Sequence, residues 1–152
     1  GDSLIRPKIL EEQAYKIEIS EENVKTQSAQ VEMFIEPVSP ILSTSSLENG
    51  AKVAKKCSSC HTFDKDGQNK IGPNLYNIIG SGIAKKTGYA YSNALVNFGG
   101  NWDFEKLANF LYKPKDYIDG TKMNFAGLKK VEDRANLILW LRNNSDNPFP
   151  LP

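Results

Sequence analysis

Apolar and polar residues alternate along the first quarter of the chain. The stretches AYKIEIS (14–20) and QVEMFIE (30–36) have this period of two, which is typical of half-buried strands. The polar EENVKTQSA (21–29) lies between them, so a hairpin with a long loop is one prediction and an unstructured tether is the other. The following EPVSPILSTSS (36–46) combines two prolines with Ser and Thr and shows no period, which predicts a linker.

Beyond the linker the spacing of apolar residues becomes helical. Ser45 and Glu48 form a capping box, which predicts a helix with Ser45 as N-cap that runs through SLENGAKVAKKCSSCH (46–61). The other predicted helices are YSNALVNF (91–98), FEKLANFLY (104–112) between the cap Asp103 and the stop Pro114, and EDRANLILWLRNN (132–144) with its apolar face of Leu137, Ile138, Trp140 and Leu141. Long Gly- and Pro-containing loops join these short helices. Such a domain has an incomplete core, so we expect something large and apolar to complete it.

Charge divides the chain at the same place as the hydrophobic pattern. The net charge is +1, but residues 1–47 carry four basic and eight acidic side chains, and the remainder carries 15 basic and 10 acidic ones. We therefore predict an arm or tether over 1–46 and one domain over 47–152. No arginine cluster indicates nucleic-acid binding, and no apolar run approaches the roughly 18 residues of a membrane span. The start at Gly1, without Met, predicts that a targeting or anchoring segment has been removed.

The motif Cys57-Ser58-Ser59-Cys60-His61 holds both cysteines and the only histidine of the chain. A structural zinc site would need a fourth ligand, usually from a second Cys or His pair. A redox dithiol would need the motif to follow a strand in a βαβ unit. Covalent haem attachment needs only two thiols for thioether bonds and the adjacent histidine as an axial ligand. The motif favours haem, with zinc and the dithiol as alternatives.

The wider sequence resembles class I c-type cytochromes from about residue 48 to residue 150. The stretches CSSCHTF (57–63), GPNLYNIIG (72–80), TGYAYSNAL (87–95), KPKDYIDGTKMNFAGLKK (113–130) and NLILWL (136–141) carry this resemblance. The tail SDNPFPLP (145–152) and the polar arm are similar to those of membrane-anchored cytochromes c of α-proteobacteria. The resemblance implies an all-α fold of short helices and long loops around one covalent haem c, with an N-terminal non-helical arm.

The resemblance also implies roles for individual residues. Cys57 and Cys60 would bond the haem, and His61 and Met123 would be the axial iron ligands. The Pro73 carbonyl would accept the other ring N–H of His61 and fix its tautomer. Donors to the haem propionates would be Tyr91, Trp102 and Thr121, and the apolar walls would be Leu75, Phe125, Leu137 and Leu141. Gly50 and Trp140 would lie where the first and last helices cross.

Two positions depart from the mitochondrial pattern. Ser81 replaces an arginine near a propionate, and Phe110 replaces a tyrosine that bonds the methionine sulfur. Both replacements remove a polar group from the surroundings of the haem.

The function implied by this resemblance is one-electron transfer without catalysis, because protein ligands fill both axial positions of the iron. The implied donor is a cytochrome bc complex and the implied acceptor is a haem–copper terminal oxidase, at the periplasmic side of the inner membrane. Acidic partner surfaces would dock on lysines around the haem edge, namely Lys55, Lys56, Lys115, Lys122, Lys129 and Lys130. The alternative is a cytochrome c domain cut from a larger oxidase or dehydrogenase.

Overall fold

Five α-helices and one 3₁₀ helix make up the regular structure of the computed structural model, which describes residues 35–152. The elements are the 3₁₀ helix Ser39–Thr44, α1 Leu47–Ala54, α2 Asn93–Phe98, α3 Phe104–Tyr112, α4 Pro114–Tyr117 and α5 Val131–Asn143. Within this range the strand pairing amounts to one isolated bridge, between Gly82 and Asn101. The predicted all-α class is therefore confirmed. The predicted hairpin falls almost wholly on residues outside the described range.

The predicted helix ends are right for α3, whereas α1 begins one residue later and ends seven residues earlier than predicted. Asp103 caps α3, since its side chain accepts a hydrogen bond from Lys106 N at 2.7 Å. The cap of α1 is Ser46, whose Oγ accepts from Asn49 N at 3.0 Å. Ser45 instead donates its hydroxyl to Ile41 O at 2.7 Å, because it belongs to the end of the 3₁₀ helix. α1 also ends at Ala54 and does not extend through the cysteine motif as predicted.

Helices α1 and α5 cross at Gly50, as predicted. A Cβ at Gly50 would lie 2.2 Å from Asn136 O and 2.7 Å from Trp140 Cβ, so only glycine permits this approach. The ring of Trp140 meets the ring of Phe63 edge-on, with 5.0 Å between centroids. This crossing therefore links the first and last helices to the loop that follows the cysteine motif.

Residues 36–44, which we call the strap, pack into the domain, and the prediction of a linker over 36–46 is wrong here. Val38 and Leu42 are fully buried in the hydrophobic core. The Glu105 carboxylate accepts hydrogen bonds from Val38 N at 3.1 Å and from Ser39 N at 2.7 Å. The arm is thus helical at Ser39–Thr44. Two apolar residues four positions apart were too few to show a period in the sequence.

The C-terminal tail folds back on the loop that follows residue 75. Tyr76 donates its hydroxyl to Asp146 Oδ1 at 2.8 Å. Phe149 packs edge-on against Phe104, with 5.5 Å between ring centroids, and covers Gly80. A Cβ at Gly80 would lie 2.3 Å from the Phe149 ring, so glycine makes room for the tail. The tail therefore fastens the outside of a loop whose inner side faces the cavity described next.

Candidate functional site

Successive turns after α1 bring the two cysteines and the histidine to one wall of a cavity. Cys57 N donates to Ala54 O at 2.9 Å, and both Cys60 N and His61 N donate to Cys57 O, at 3.0 and 2.9 Å. The two thiols are not joined in a disulfide. All three side chains line the same cavity of about 250 Å³. The short spacing of the motif thus presents two sulfurs and one imidazole to a single enclosed space.

The His61 ring is fixed by the loop opposite it. Its Nδ1 lies 2.7 Å from Pro73 O. A carbonyl can only accept, so Nδ1 carries the proton and Nε2 is left with its lone pair, the form that binds a metal. Burial lowers the pKa of His61, the bond to Pro73 opposes this shift, and the nearby Lys70 adds to it. The imidazole is therefore held neutral and in one tautomer.

Pro73 reaches His61 because the loop 62–75 folds back on the motif. Gly72 N donates to Cys60 O at 2.7 Å, and Leu75 N donates to Thr62 O at 2.8 Å. A Cβ at Gly72 would lie 2.3 Å from His61 Cε1, so the backbone passes directly against the ring. The loop and the motif therefore form one unit that determines where the imidazole points.

The environment of Cys57 argues against a redox dithiol. Burial and the neighbouring Cys60 raise the pKa of the Cys57 thiol to about 11, and Lys56 opposes the shift only in part. A nucleophilic cysteine needs a lowered pKa, since the thiolate is the reactive form. Within residues 35–152, no group of three or more His, Cys, Asp or Glu is arranged to hold a metal ion. Neither the dithiol nor the zinc alternative is supported by this geometry.

Met123 lies on a loop that faces the same cavity as His61. The loop turns at Gly120, where φ is +96°, a backbone conformation that favours glycine. Thr121 is 5% exposed and accepts a hydrogen bond from Met123 N at 3.2 Å through its hydroxyl. Lys115 Nζ donates to Thr121 O at 3.1 Å. These two hydrogen bonds hold the backbone at Thr121 and Met123, so the loop that presents Met123 to the cavity is fixed on both sides of Thr121.

All twelve residues predicted for the site line this one cavity. They are Cys57, Cys60, His61, Pro73, Leu75, Tyr91, Trp102, Thr121, Met123, Phe125, Leu137 and Leu141. The prediction missed other apolar lining residues, among them Phe63, Ile78, Ala84, Leu95, Leu107 and Leu111, while Phe110, which the resemblance places near the methionine sulfur, also lines the cavity. Leu107, Phe110 and Leu111 share one face of α3, and their helical spacing was the available signal. The cavity is thus lined by the cysteine motif, by α2, α3 and α5, and by the loops between them.

The predicted polar donors lie in two different settings. Tyr91 accepts a hydrogen bond from Lys86 N at 3.1 Å through its hydroxyl oxygen, and burial raises the pKa of Tyr91. Trp102 is 5% exposed and packs against Phe110, with 5.1 Å between ring centroids. Trp102 is therefore both a core residue and a lining residue of the cavity.

The fold and the site together define a small helical protein whose apolar cavity is lined by two thiols and an imidazole. The family model of cytochrome c matches residues 47–145. A cytochrome c homolog of Bradyrhizobium diazoefficiens is 39% identical over 154 residues, covering all of this chain and 84% of the relative. One from Rickettsia typhi is 43% identical over 129 residues, covering 85% and 74% of the two chains. A cytochrome c of Gibberella zeae is 43% identical over 100 residues, covering 65% of this chain and 94% of the relative.

The chain belongs to the cytochrome c family. The predicted resemblance to class I c-type cytochromes of α-proteobacteria is confirmed, and so is covalent haem c as the cofactor. The protein is an electron carrier. The residues at the cavity fit this group, because two thiols, a neutral imidazole and a thioether converge on an otherwise apolar space.

Proposed function

We propose that the protein is a one-electron carrier of a respiratory chain, which takes electrons from a cytochrome bc complex and delivers them to a haem–copper terminal oxidase. When bound, haem c supplies an iron that gains and loses one electron. Cys57 and Cys60 hold the haem through thioether bonds, and His61 and Met123 are the iron ligands. The observation that carries the proposal is that His61 and Met123, far apart in sequence, line one cavity.

The ligand pair explains transfer without catalysis. With the imidazole of His61 and the thioether of Met123 as its ligands, the iron would have no position left for a substrate. A thioether favours the ferrous state and raises the reduction potential. The hydrogen bond from His61 Nδ1 to Pro73 O keeps Nε2 unprotonated and strengthens it as a donor.

The remaining lining residues hold the cofactor in two ways, through hydrogen bonds and through apolar contacts. Tyr91, Trp102 and Thr121 donate hydrogen bonds to the haem carboxylates, which would be costly to bury without partners. Leu75, Phe125, Leu137 and Leu141 form the apolar walls. This assignment is supported by the lining of the cavity, in which all seven residues take part.

Lysines near the cavity form the docking surface for an acidic partner. Lys56 and Lys122 line the cavity itself. Together with Lys55, Lys115, Lys129 and Lys130 they would attract negative charge and speed the encounter. Ile71 is 75% exposed and also lines the cavity, so an apolar contact lies beside these charges.

Residues 1–34 act as a tether to an N-terminal anchor on the periplasmic side of the inner membrane. The resemblance to anchored α-proteobacterial cytochromes c supports this part of the proposal. None of the helices between residues 35 and 152 is long and apolar enough to cross a bilayer. The strap belongs to the haem domain, so we place the start of that domain near Val38, ahead of the predicted boundary at residue 47.

The alternative, a domain cut from a larger oxidase or dehydrogenase, has less support. The chain covers 84% of the Bradyrhizobium relative, which leaves little room there for a catalytic domain. A chain of that kind would carry its chemistry outside the cavity described above.

The test compares Met123→Ala with Met33→Ala, the change at the other methionine of the chain. The purified protein should be red and should keep its haem through acid–acetone extraction, because thioether bonds are covalent. The weak near-infrared band of ferric iron bound to methionine should vanish in Met123→Ala and remain in Met33→Ala. A band that survives in Met123→Ala would exclude Met123 as the ligand, and a colourless protein would exclude the whole proposal.

A further inference from the structure

Arg134 is a buried cation at the end of the loop that carries Met123. It lies in the first turn of α5 and is 0% exposed. Its Nη1 donates to Leu128 O at 2.8 Å and to Lys129 O at 2.9 Å. Hydrogen bonds from a charged donor are stronger than neutral ones, and a buried carbonyl left without its donor is costly. Arg134 therefore fixes the backbone where the loop ends.

The strap covers the other side of this guanidinium. Nη2 of Arg134 donates to Glu36 O at 3.5 Å and lies 3.7 Å from Glu36 Oε1. The Tyr112 ring completes the enclosure, with its centroid 5.1 Å from Arg134 Cζ. The Glu36 side chain is 74% exposed, so the ion pair alone contributes little. The larger effect is expected from the strap as a whole, whose Val38 and Leu42 are fully buried, as Arg134 is.

Helix α3 holds both the strap and the loop end. At its first turn the Glu105 carboxylate binds Val38 N and Ser39 N of the strap. At its last turn Leu111 O accepts a hydrogen bond from Leu128 N at 2.8 Å. A Cβ at Gly127 would lie 1.9 Å from Tyr112 O, so the loop end lies flat against the helix. Strap, Arg134 and loop end are thus parts of one packed unit.

We propose that the strap controls how firmly the Met123 loop is held, and that Arg134 is the positioning residue through which it acts. The inference rests on the proposed ligation of iron by Met123. The strap precedes residues 47–145, the range that the cytochrome c family model matches. The control that we propose therefore comes from a segment outside the range of that family model. Loosening the strap exposes the guanidinium to water, weakens its hold on Leu128 O and Lys129 O, and lets Met123 leave the iron more often.

The experiment uses the full-length ferric holoprotein and compares Glu105→Ala with Asp103→Ala. Both changes remove a carboxylate at the start of α3 that accepts backbone N–H groups. Only Glu105 binds the strap, whereas Asp103 caps its own helix. Two quantities are measured: hydrogen exchange of the Leu128 amide relative to the Leu137 amide in α5, and the affinity of the iron for added imidazole.

We expect Glu105→Ala to speed the relative exchange of Leu128 about tenfold and to raise imidazole affinity by a similar factor, as the loss of charge-assisted bonds to the strap implies. Asp103→Ala should change neither the relative exchange of the Leu128 amide nor the affinity of the iron for imidazole. Arg134→Lys should act in the same direction as Glu105→Ala, because a lysine lacks the forked donors. Equal effects of Glu105→Ala and Asp103→Ala on Leu128 exchange would overturn the proposal.

The two readouts separate this inference from the proposed function. Leu128 exchange reports the hold on the loop and does not depend on which residue binds iron. If exchange responds to Glu105→Ala and imidazole affinity does not, the strap holds the loop but Met123 is not the ligand. If neither responds, the strap does not control the loop.

Discussion

Gly50 of α1 and Trp140 of α5 approach so closely that a Cβ on Gly50 would lie 2.7 Å from Trp140 Cβ. Trp140 in turn packs edge-on against Phe63, which lines the haem cavity. The crossing of the first and last helices therefore supports the site from behind. A substitution at Gly50 should therefore lower the stability of the whole domain.

Gly50→Ala should destabilise the protein by about 1–3 kcal/mol, because the added methyl group has no space at the crossing. Alanine is intrinsically better than glycine inside a helix, so any loss reports packing. The measurement is the denaturant midpoint followed by circular dichroism. The control is Asn49→Ala on the exposed side of α1, which should be near neutral, and equal losses in both variants would contradict the packing argument.

Gly72→Ala should displace the imidazole of His61, since the new Cβ would lie 2.3 Å from Cε1. We expect a shifted reduction potential and a loss of about 1–3 kcal/mol in the free energy of unfolding. Spectroelectrochemistry measures the potential. Gly88→Ala is the control, because φ there is +81° and the nearest atom to its Cβ would be 3.8 Å away. It should cost stability through backbone strain and leave the potential unchanged.

Lys56→Gln and Lys122→Gln should slow oxidation by ferricyanide, an anionic one-electron oxidant. Both side chains line the cavity, so each loss of charge should lower the rate roughly twofold to fivefold at low ionic strength. The difference should disappear near 1 M salt, where the Debye length is about 3 Å. Lys65→Gln is the control, since Lys65 pairs with Asp146 at 2.8 Å outside the cavity. A rate that does not depend on salt would argue for an uncharged docking surface.

Asp146 should make the attachment of the C-terminal tail sensitive to acid. Hydrogen bonds from Lys65 and then Tyr76 lower the pKa of the Asp146 carboxyl. Its folded pKa is below the unfolded value of about 3.9, so its stabilisation is complete above that value and is lost as the pH falls through the folded pKa. The unfolding midpoint measured from pH 6 to pH 3 should fall less steeply in Asp146→Asn. Asp119→Asn, at an exposed carboxylate of another loop, should follow the parent protein.

The local sequence was sufficient to predict those structural features that a few neighbouring residues determine. The cysteine motif and the cap Asp103 depend on contacts within about four positions. The resemblance to cytochromes c added long-range relations, such as Gly50 against Trp140, that the hydrophobic pattern alone does not contain. The cap of α1 was predicted one residue early because Ser45 and Ser46 both suit an N-cap, and only the end of the 3₁₀ helix distinguishes them.

The sequence by itself predicted the cofactor chemistry, because the motif Cys57–His61 favours covalent haem attachment and the resemblance of the surrounding stretches to c-type cytochromes implies it. The tertiary structure alone decided that the strap belongs to the core and that Arg134 is buried beneath it. Those outcomes depend on partners far away in the chain: Ser39 bonds Glu105, 66 positions on, and Glu36 meets Arg134, 98 positions on. From the local sequence, the prolines and serines around Val38 and Leu42 predict a linker. Burial of only two apolar side chains is favourable only when α3 and α5 are packed together and provide the surface that covers them.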